Sequence, residues 1–410
     1  MSSEPRHLVI GGGVIGLCSA YFLAKKGEAV TVIDRNAAHR NQCSDKNAGM
    51  VVPSHFIPLA APGVVTQGLK WMLNPRSPFF IRPRLNRDLI SWCWQFLRHS
   101  NKRHVENSQE LLRDLNLESR SLFEQLADEL DFPLVRKGLL NLCQTEAGLH
   151  EEAEVAKLAN ALGVEAEVCS PERLCELDPD IEINAKGGIW FSKDCHLDSQ
   201  LFLTALKEGI KKYGGTFIAG DVSNFHLKDD EVMRMTTKNG EEIPVSHLVL
   251  AAGSWSPELA RGLNLKLPMQ AGKGYSVTLE NPPQLPTLCS LLKEGRVAVT
   301  PMGGKLRIAG TMEICGNDTS IDHRRLEGIF NSFRSFFPQF QRENFKALKP
   351  WSGLRPCTPD GLPYIGPAPG IKNVTIATGH AMLGLSLGPV TGRMIAEGAT
   401  DPRLDPIRFQ

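Results

Sequence analysis

The chain has 410 residues, 42% hydrophobic and 22% charged, with 46 basic and 45 acidic side chains and a net charge of +1. That length admits two or three domains and a large buried ligand, and the composition excludes a disordered chain, a collagen-like repeat or a small disulfide scaffold as the main organisation. The charge balance argues against a nucleic-acid partner, which would call for a basic excess.

Residues 7–12, HLVIGG, are a short β-forming run ending in glycine. Gly11, Gly13 and Gly16 then make G-x-G-x-x-G. From Val14 to Lys26 the apolar period becomes helical, with Ile15, Ala20, Leu23 and Ala24 facing inward and Gly27 as the stop. Glu28 to Asp34, EAVTVID, is a second strand ending in an acid. This order is that of a dinucleotide site. Gly11 permits the tight turn, Gly13 lets backbone approach a pyrophosphate, and Gly16 lets helix pack on strand. The pyrophosphate lies at the positive end of the helix, and Asp34 is placed to accept hydrogen bonds from the adenosine ribose. This unit alone leaves FAD and NAD both open. The apolar stretch Leu8–Ala24 is 17 residues long, short for a membrane span, and no secretory signal is expected.

Further along, CSDKNAGMV at 43–51 is a small-residue patch: either an ordinary turn or a loop passing close to a flat ring. Residues 53–88 are rich in prolines and turns, and 89–130 read as helical. Helices are expected over 151–163, from Pro171 and over 199–213, and strands over 187–191. TFIAGDVSNFHL, EVMRMTT and SHLVLAAG read as strands, the last closing on Ala251, Ala252, Gly253, Ser254 and Trp255. Strands at 273–280, 295–300 and 305–313 indicate a mainly antiparallel section, followed by a helix over 323–337 and an NVTIATG strand. The nucleotide-binding domain is therefore discontinuous, about 1–60, 190–265 and 345–410, with 61–189 and 266–344 forming a substrate domain. The fold class is α/β: a Rossmann-like domain with a second α+β domain containing a mainly antiparallel sheet. The 37 glycines, about 9% against a typical ~7%, fall in clusters, where backbone comes close to something other than protein. Ten cysteines without a CxxC pair predict reduced thiols and a cytoplasmic or cytosol-facing protein. His196 beside Asp194 and Cys195 lacks a metal-binding spacing, and no metal site is expected.

With these pieces assembled, the chain resembles the FAD-dependent D-amino acid dehydrogenase family, and more broadly the glycine oxidase, sarcosine oxidase and D-amino acid oxidase superfamily. The resemblance rests on VIGGGVIGLCSAYFLAKKG at 9–27, NAGMVVPS at 47–54, AAGSWSP at 251–257, AGKGYSVT at 271–278, GLRPCTPDGLPYIG at 353–366 and GHAMLGLSLGP at 379–389. It implies noncovalent FAD, since Met382 and Leu383 occupy the tail turn where relatives carry an attachment cysteine. It places FAD contacts at Gly11, Gly13, Val14, Ile15, Gly16, Asp34 and Arg35, and near the flavin ring at Asn47, Ala48, Gly49 and Met50. Val222 is expected at the adenine region, with further contacts at Ala252, Gly253, Trp255, Gly353, Arg355, Gly379, Gly384, Leu385 and Ser386.

The chemistry the resemblance implies is oxidation of a carbon–nitrogen bond, with hydride passing from the α-carbon of a D-amino acid to flavin N5. Arg355 is the carboxylate clamp, because a guanidinium offers two parallel hydrogen bonds. Tyr275 is a second carboxylate contact or a packed core tyrosine; His55 and His380 either line the active side or are structural. A cyclic secondary amine such as D-proline or D-hydroxyproline, or a glycine- or sarcosine-type amine, is the alternative substrate. A flavin-binding assembly subunit is the non-enzyme alternative, and a quinone is one possible electron acceptor. Residues 70–103 carry Lys70, Arg76, Arg82, Arg84, Arg87, Arg98, Lys102 and Arg103 against Asp88, interleaved with Trp71, Phe79, Phe80, Trp92, Trp94 and Phe96. They form either a peripheral contact with an anionic membrane, on the cytoplasmic face of the inner membrane, or a helix whose aromatics pack inward.

Overall fold

A computed structural model describes residues 6–35 and 42–409. The run at Arg6–Ile10 (β1) is apolar on both faces because both are covered: Leu8, Val9 and Ile10 are all buried. It leads through the glycine turn into Val14–Lys25 (α1), then into Ala29–Asp34 (β2). The helices Val64–Met72 (α2), Arg87–His99 (α3) and Lys102–Leu130 (α4) follow. The helical stretch expected over 89–130 is thus two helices. Asn101 breaks it by taking extended backbone and accepting the His104 N–H at 3.0 Å, so that it caps α4.

Ser199–Lys212 (α5) runs into Thr216–Ala219 (β3), and His247–Leu250 (β4) follows a small antiparallel sheet built from Val222–Lys228, Glu231–Thr237 and Glu242–Pro244. Gln270–Leu279 (β5), Lys305–Ile314 (β6), helix His323–Phe336 (α6) and Trp351–Cys357 (β7) come next. Tyr364–Pro367 (β8), Val374–Thr378 (β9) and Gly388–Glu397 (α7) complete the elements used below.

The first sheet has the order β3-β2-β1-β4-β9-β8, parallel except for the antiparallel edge β8. The chain leaves β1 toward β2 on one side, whereas β4 lies on the other. The carboxyl end of β1 is therefore a topological switch point, where a doubly wound sheet opens a crevice for a ligand. The second sheet runs β7-β5-β6 and continues through Val297–Met302, Cys289–Leu292, Leu139–Cys143, Gly187–Phe191 and Ala166–Cys169. It is mainly antiparallel; Cys289–Leu292 pairs parallel with Leu139–Cys143, and Phe79–Ile81 adds parallel to β6. Gly187–Phe191 and β7 both belong to this second sheet, so its strands extend into the segments 190–265 and 345–410 assigned above to the nucleotide domain.

Candidate active site

The crevice at the switch point is a cleft of about 310 Å³. Its phosphate end is made by backbone. Gly11 has φ +115°, and a Cβ there would overlap the Ala251 carbonyl. A Cβ on Gly16 would overlap the Gly11 carbonyl, so these two glycines are dictated by protein against protein. Gly13 differs. It caps α1 without a side chain, and a Cβ on it would meet only Ser44 Oγ, at 3.4 Å. The first turn of α1 holds no acid, leaving its positive end for an anion. Asp34 accepts the Gly12 N–H on Oδ2 at 2.6 Å, which fixes the carboxylate at the cleft wall. Arg35 stacks its guanidinium 3.7 Å from the Trp255 ring centroid, and Val222, Ala252 and Gly253 continue this wall.

The inner end of the cleft reaches Arg355 on β7, with Asn47, His380, Gly384 and Leu385 also on its walls. Arg355 donates from Nη1 to the Thr311 carbonyl at 2.9 Å. Its register partner on β5 is Gly272, and its guanidinium lies over Gly274 two residues along, where a side chain would collide with it. Trp92, Cys357 and Ala381 form a buried apolar group beside it, joined by Met312, and Trp92 Nε1 donates to the Cys357 carbonyl at 2.9 Å.

Of the remaining expected site residues, all but the wall-lining His380 sit behind this wall. Ala48, Gly49 and Met50 are outside the cleft; Gly49 has φ +76° and is glycine because a Cβ would overlap the Leu197 carbonyl. Ser386 accepts the Val52 N–H at 2.9 Å and donates to Asn116 at 2.7 Å, tying the 47–54 segment to the tail. Gly353 and Gly379 pack against Trp351 and Thr358. His380 Nε2 is 3.0 Å from Thr391 Oγ1, and complete burial pulls its pKa down to about 3. His55 stands off the cleft beside Ser54, its pKa lowered to about 4 by burial and then by Arg296. Both rings are neutral at physiological pH.

Tyr275 has no free hydroxyl for a substrate. It is 1% exposed, donates to Glu313 at 2.5 Å and accepts the Asp322 N–H at 3.0 Å. Burial, then the Glu313 bond, raises its pKa far above the ordinary phenol range. Its strand position places it in the core of the second sheet.

Other contributors were not evident in the sequence. Ser44 Oγ accepts the Val14 N–H at 3.0 Å at the start of α1. Arg307, 5% exposed, donates to the Asn47 carbonyl at 2.9 Å and so holds the loop that crosses the cleft. Cys43, Thr378 and Met382 also line the cleft. Arg307 lies 260 residues from Asn47, and no local pattern signals such a contact.

Residues 6–398 match the family described as DAO, FAD dependent oxidoreductase. The chain is 32% identical over 397 residues to a D-amino acid dehydrogenase of Vibrio atlanticus, covering 95% of this chain and 94% of the relative. It is 33% identical over 400 residues to a D-amino acid dehydrogenase of Allorhizobium ampelinum, covering 95% and 93%. In fold it is similar to glycine oxidase from Geobacillus kaustophilus (TM-score 0.78, 22% identity, covering 99% of this chain and 100% of the other). It is likewise similar to L-proline dehydrogenase from P. horikoshii (TM-score 0.71, 20% identity, covering 100% and 98%).

Proposed function

The chain belongs to the DAO family of FAD-dependent oxidoreductases and oxidises amino-acid-type substrates with noncovalent FAD; from that premise we propose that it is a D-amino acid dehydrogenase whose substrate carboxylate is held by Arg355. The observation that carries this reading is the placement of one guanidinium at the inner end of the cleft, anchored on one side by the Thr311 carbonyl. The residues fit the cofactor: Gly13 leaves room where a pyrophosphate needs backbone, and Asp34 presents a fixed carboxylate on the cleft wall as an acceptor for ribose hydroxyls.

Bound FAD would supply the acceptor for the hydride that leaves the substrate α-carbon. The protein's share is positioning. Arg355 fixes the carboxylate through two donors, and the bare face of Gly274 keeps the guanidinium flat against the sheet. Trp92, Cys357, Ala381 and Met312 exclude water from its neighbourhood, which strengthens the charge pairing. A primary amine then gives a 2-oxo acid and ammonia after hydrolysis of the imine; D-proline would give a cyclic imine. An anaerobic spectral screen tests this. D-alanine, D-proline and larger D-amino acids should bleach the flavin, and their L-enantiomers should not. Bleaching by L-enantiomers or glycine alone overturns the D-specific reading.

A second reading concerns where electrons go. Ile90, Trp94 and Leu97 recur at i, i+4 and i+7 on α3 and are exposed, as are Leu69, Leu73 and Leu85 nearby. Leu89 and Trp92 occupy the opposite, buried face. Lys70, Arg76, Arg82, Arg87, Arg98, Lys102 and Arg103 are exposed in the same 70–103 segment, Arg82 paired with Asp318 and Lys102 with Glu106. Among the described residues no helix is long and apolar enough to cross a membrane. We propose peripheral contact with an anionic bilayer on its cytoplasmic face, with a quinone as acceptor. Flotation with anionic vesicles should carry the wild type and lose Trp94→Glu; equal flotation of both, or none at low salt, overturns it.

A further inference from the structure

Gln42, Cys43, Ser44 and Asn47 line the cleft from a single loop. The next three carbonyls of that loop, those of Asp45, Lys46 and Asn47, are each held by a buried side chain from a different element. Ser199 Oγ, at the start of α5, donates to the Asp45 carbonyl at 3.0 Å. Ser276 Oγ on β5 donates to the Lys46 carbonyl at 3.1 Å, and Arg307 Nη1 on β6 donates to the Asn47 carbonyl at 2.9 Å. Residues 45–47 belong to no helix or strand, so these side chains supply what a backbone ladder would otherwise give.

Arg307 is the centre of this set. Its Nη1 also reaches Ser199 Oγ at 3.4 Å, and its Nε donates to Thr278 Oγ1 at 3.2 Å across the β5–β6 pair. Each of these acceptors is neutral. No carboxylate pairs with Arg307 among the described residues: Asp198 and Glu280 act on it only at longer range, and Glu280 is paired with Lys305. A buried cation without a carboxylate is costly and uncommon. What the guanidinium adds in return is a rigid fork that ties loop, helix and strand together at once.

The same two strands hold Arg355. Gly274, two residues from Ser276 on β5, lies under its guanidinium. Thr311, four residues from Arg307 on β6, accepts its Nη1 at 2.9 Å. Four residues of strand span roughly 13 Å. The cleft loop and the carboxylate clamp are therefore both fixed to one β5–β6 pair. We propose that Arg307 is a positioning residue for hydride transfer: it sets the place of the cleft loop, and of the flavin against it, relative to the substrate at Arg355. Arg307 itself exchanges no proton or electron. The substrate end rests on the Arg355 reading; the bracing of the loop does not. Hydride transfer needs reacting atoms about 3–3.5 Å apart, and a misplacement of about 1 Å costs roughly 10²-fold. Releasing the loop should therefore slow the chemistry far more than it weakens substrate binding.

The test uses FAD-loaded enzyme and anaerobic stopped-flow reduction by D-alanine, which separates the limiting reduction rate from the apparent Kd. Arg307→Met should lower the limiting rate about tenfold or more, with the Kd for D-alanine within about threefold of wild type. Ser276→Ala, which releases only the Lys46 carbonyl, should lower the rate less and in the same direction. Arg307→Lys keeps the charge and one donor for the Asn47 carbonyl, and should fall between Arg307→Met and wild type. The visible circular dichroism of bound FAD, recorded without substrate, should change in Arg307→Met and move back toward wild type in Arg307→Lys. Should Arg307→Met fail to hold FAD, the same comparison is made between Arg307→Lys, Ser276→Ala and wild type. A wild-type limiting rate in every variant that holds FAD, an unchanged rate with a raised Kd, or unchanged dichroism overturns the proposal. An unaltered Kd in Arg355→Met refutes only the clamp. If no D-amino acid reduces the wild type, the substrate reading fails, and the dichroism still decides for or against Arg307.

Discussion

Gly13 and Gly16 belong to the same glycine motif, yet substitution by alanine should act on different states of the protein. At Gly16 a Cβ would stand about 1 Å inside the 3.0 Å limit from the Gly11 carbonyl, which is backbone and cannot swing aside. Overpacking of that kind costs about 1–3 kcal/mol or more and distorts the turn even without cofactor. At Gly13 the nearest atom is a serine hydroxyl at 3.4 Å, an ordinary contact, and the backbone is extended with φ −74°. Gly13→Ala should therefore leave the apoprotein within ~1 kcal/mol of wild type, offset in part by the lower entropy of the unfolded chain. Its effect falls on FAD. Pushing a pyrophosphate off two helix-end N–H groups removes charge-assisted bonds of about 1.5–3 kcal/mol each. That amounts to a roughly 10²–10⁴-fold weaker Kd. Denaturant unfolding of apoprotein and fluorescence titration with FAD separate the two quantities. Wild-type FAD affinity in Gly13→Ala, or apoprotein destabilised as severely as Gly16→Ala, would refute the reasoning.

Two further outcomes follow from buried groups. Asp194 is buried and accepts both the N–H and the hydroxyl of Ser54, at 3.0 and 2.5 Å. Burial pushes its pKa up to about 7 against the opposing pull of Ser54. The folded state therefore holds a proton that an unfolded aspartate, with pKa near ~3.9, has released, and this contribution to stability falls as pH rises from about 4 to about 7. Asp194→Asn should gain stability relative to wild type across that window, by up to about 1.4 kcal/mol per pH unit, and level off above it. Parallel urea-unfolding profiles at pH 5 and 8 would contradict this. Tyr275→Phe removes the donor to Glu313 and should cost about 1–3 kcal/mol of stability with the KM for D-amino acids unchanged. Unchanged stability with a tenfold rise in KM would return Tyr275 to the substrate.

The first βαβ unit was legible because its function is written in local spacing: turn, helix start and acid lie within 24 residues, Gly11 to Asp34. Val222 and the Ala252–Trp255 closure also lie on the cleft, since a strand ending in small residues marks a crossing at the switch point. The same rule misleads at Gly49 and Gly353. There the close approach is protein against protein, by Leu197 and Trp351, and a sequence records the need for glycine without recording what approaches. Tyr275 shows a related ambiguity: strand alternation places its ring on one face of β5, but only the fold brings Glu313 across to meet the hydroxyl. Arg307 was illegible because its role depends on a loop that a distant strand passes beneath.

The central claim is that Arg355 holds the carboxylate of the amino acid being oxidised. Stopped-flow reduction of FAD-loaded Arg355→Met by D-alanine under anaerobic conditions tests it most directly, with the flavin spectrum confirming that cofactor is retained. Truncating one partner of a buried charge pair costs about 2–5 kcal/mol. The apparent Kd for D-alanine should therefore rise roughly 30- to 5,000-fold. A variant that keeps its FAD and is reduced at wild-type substrate concentrations would contradict the account.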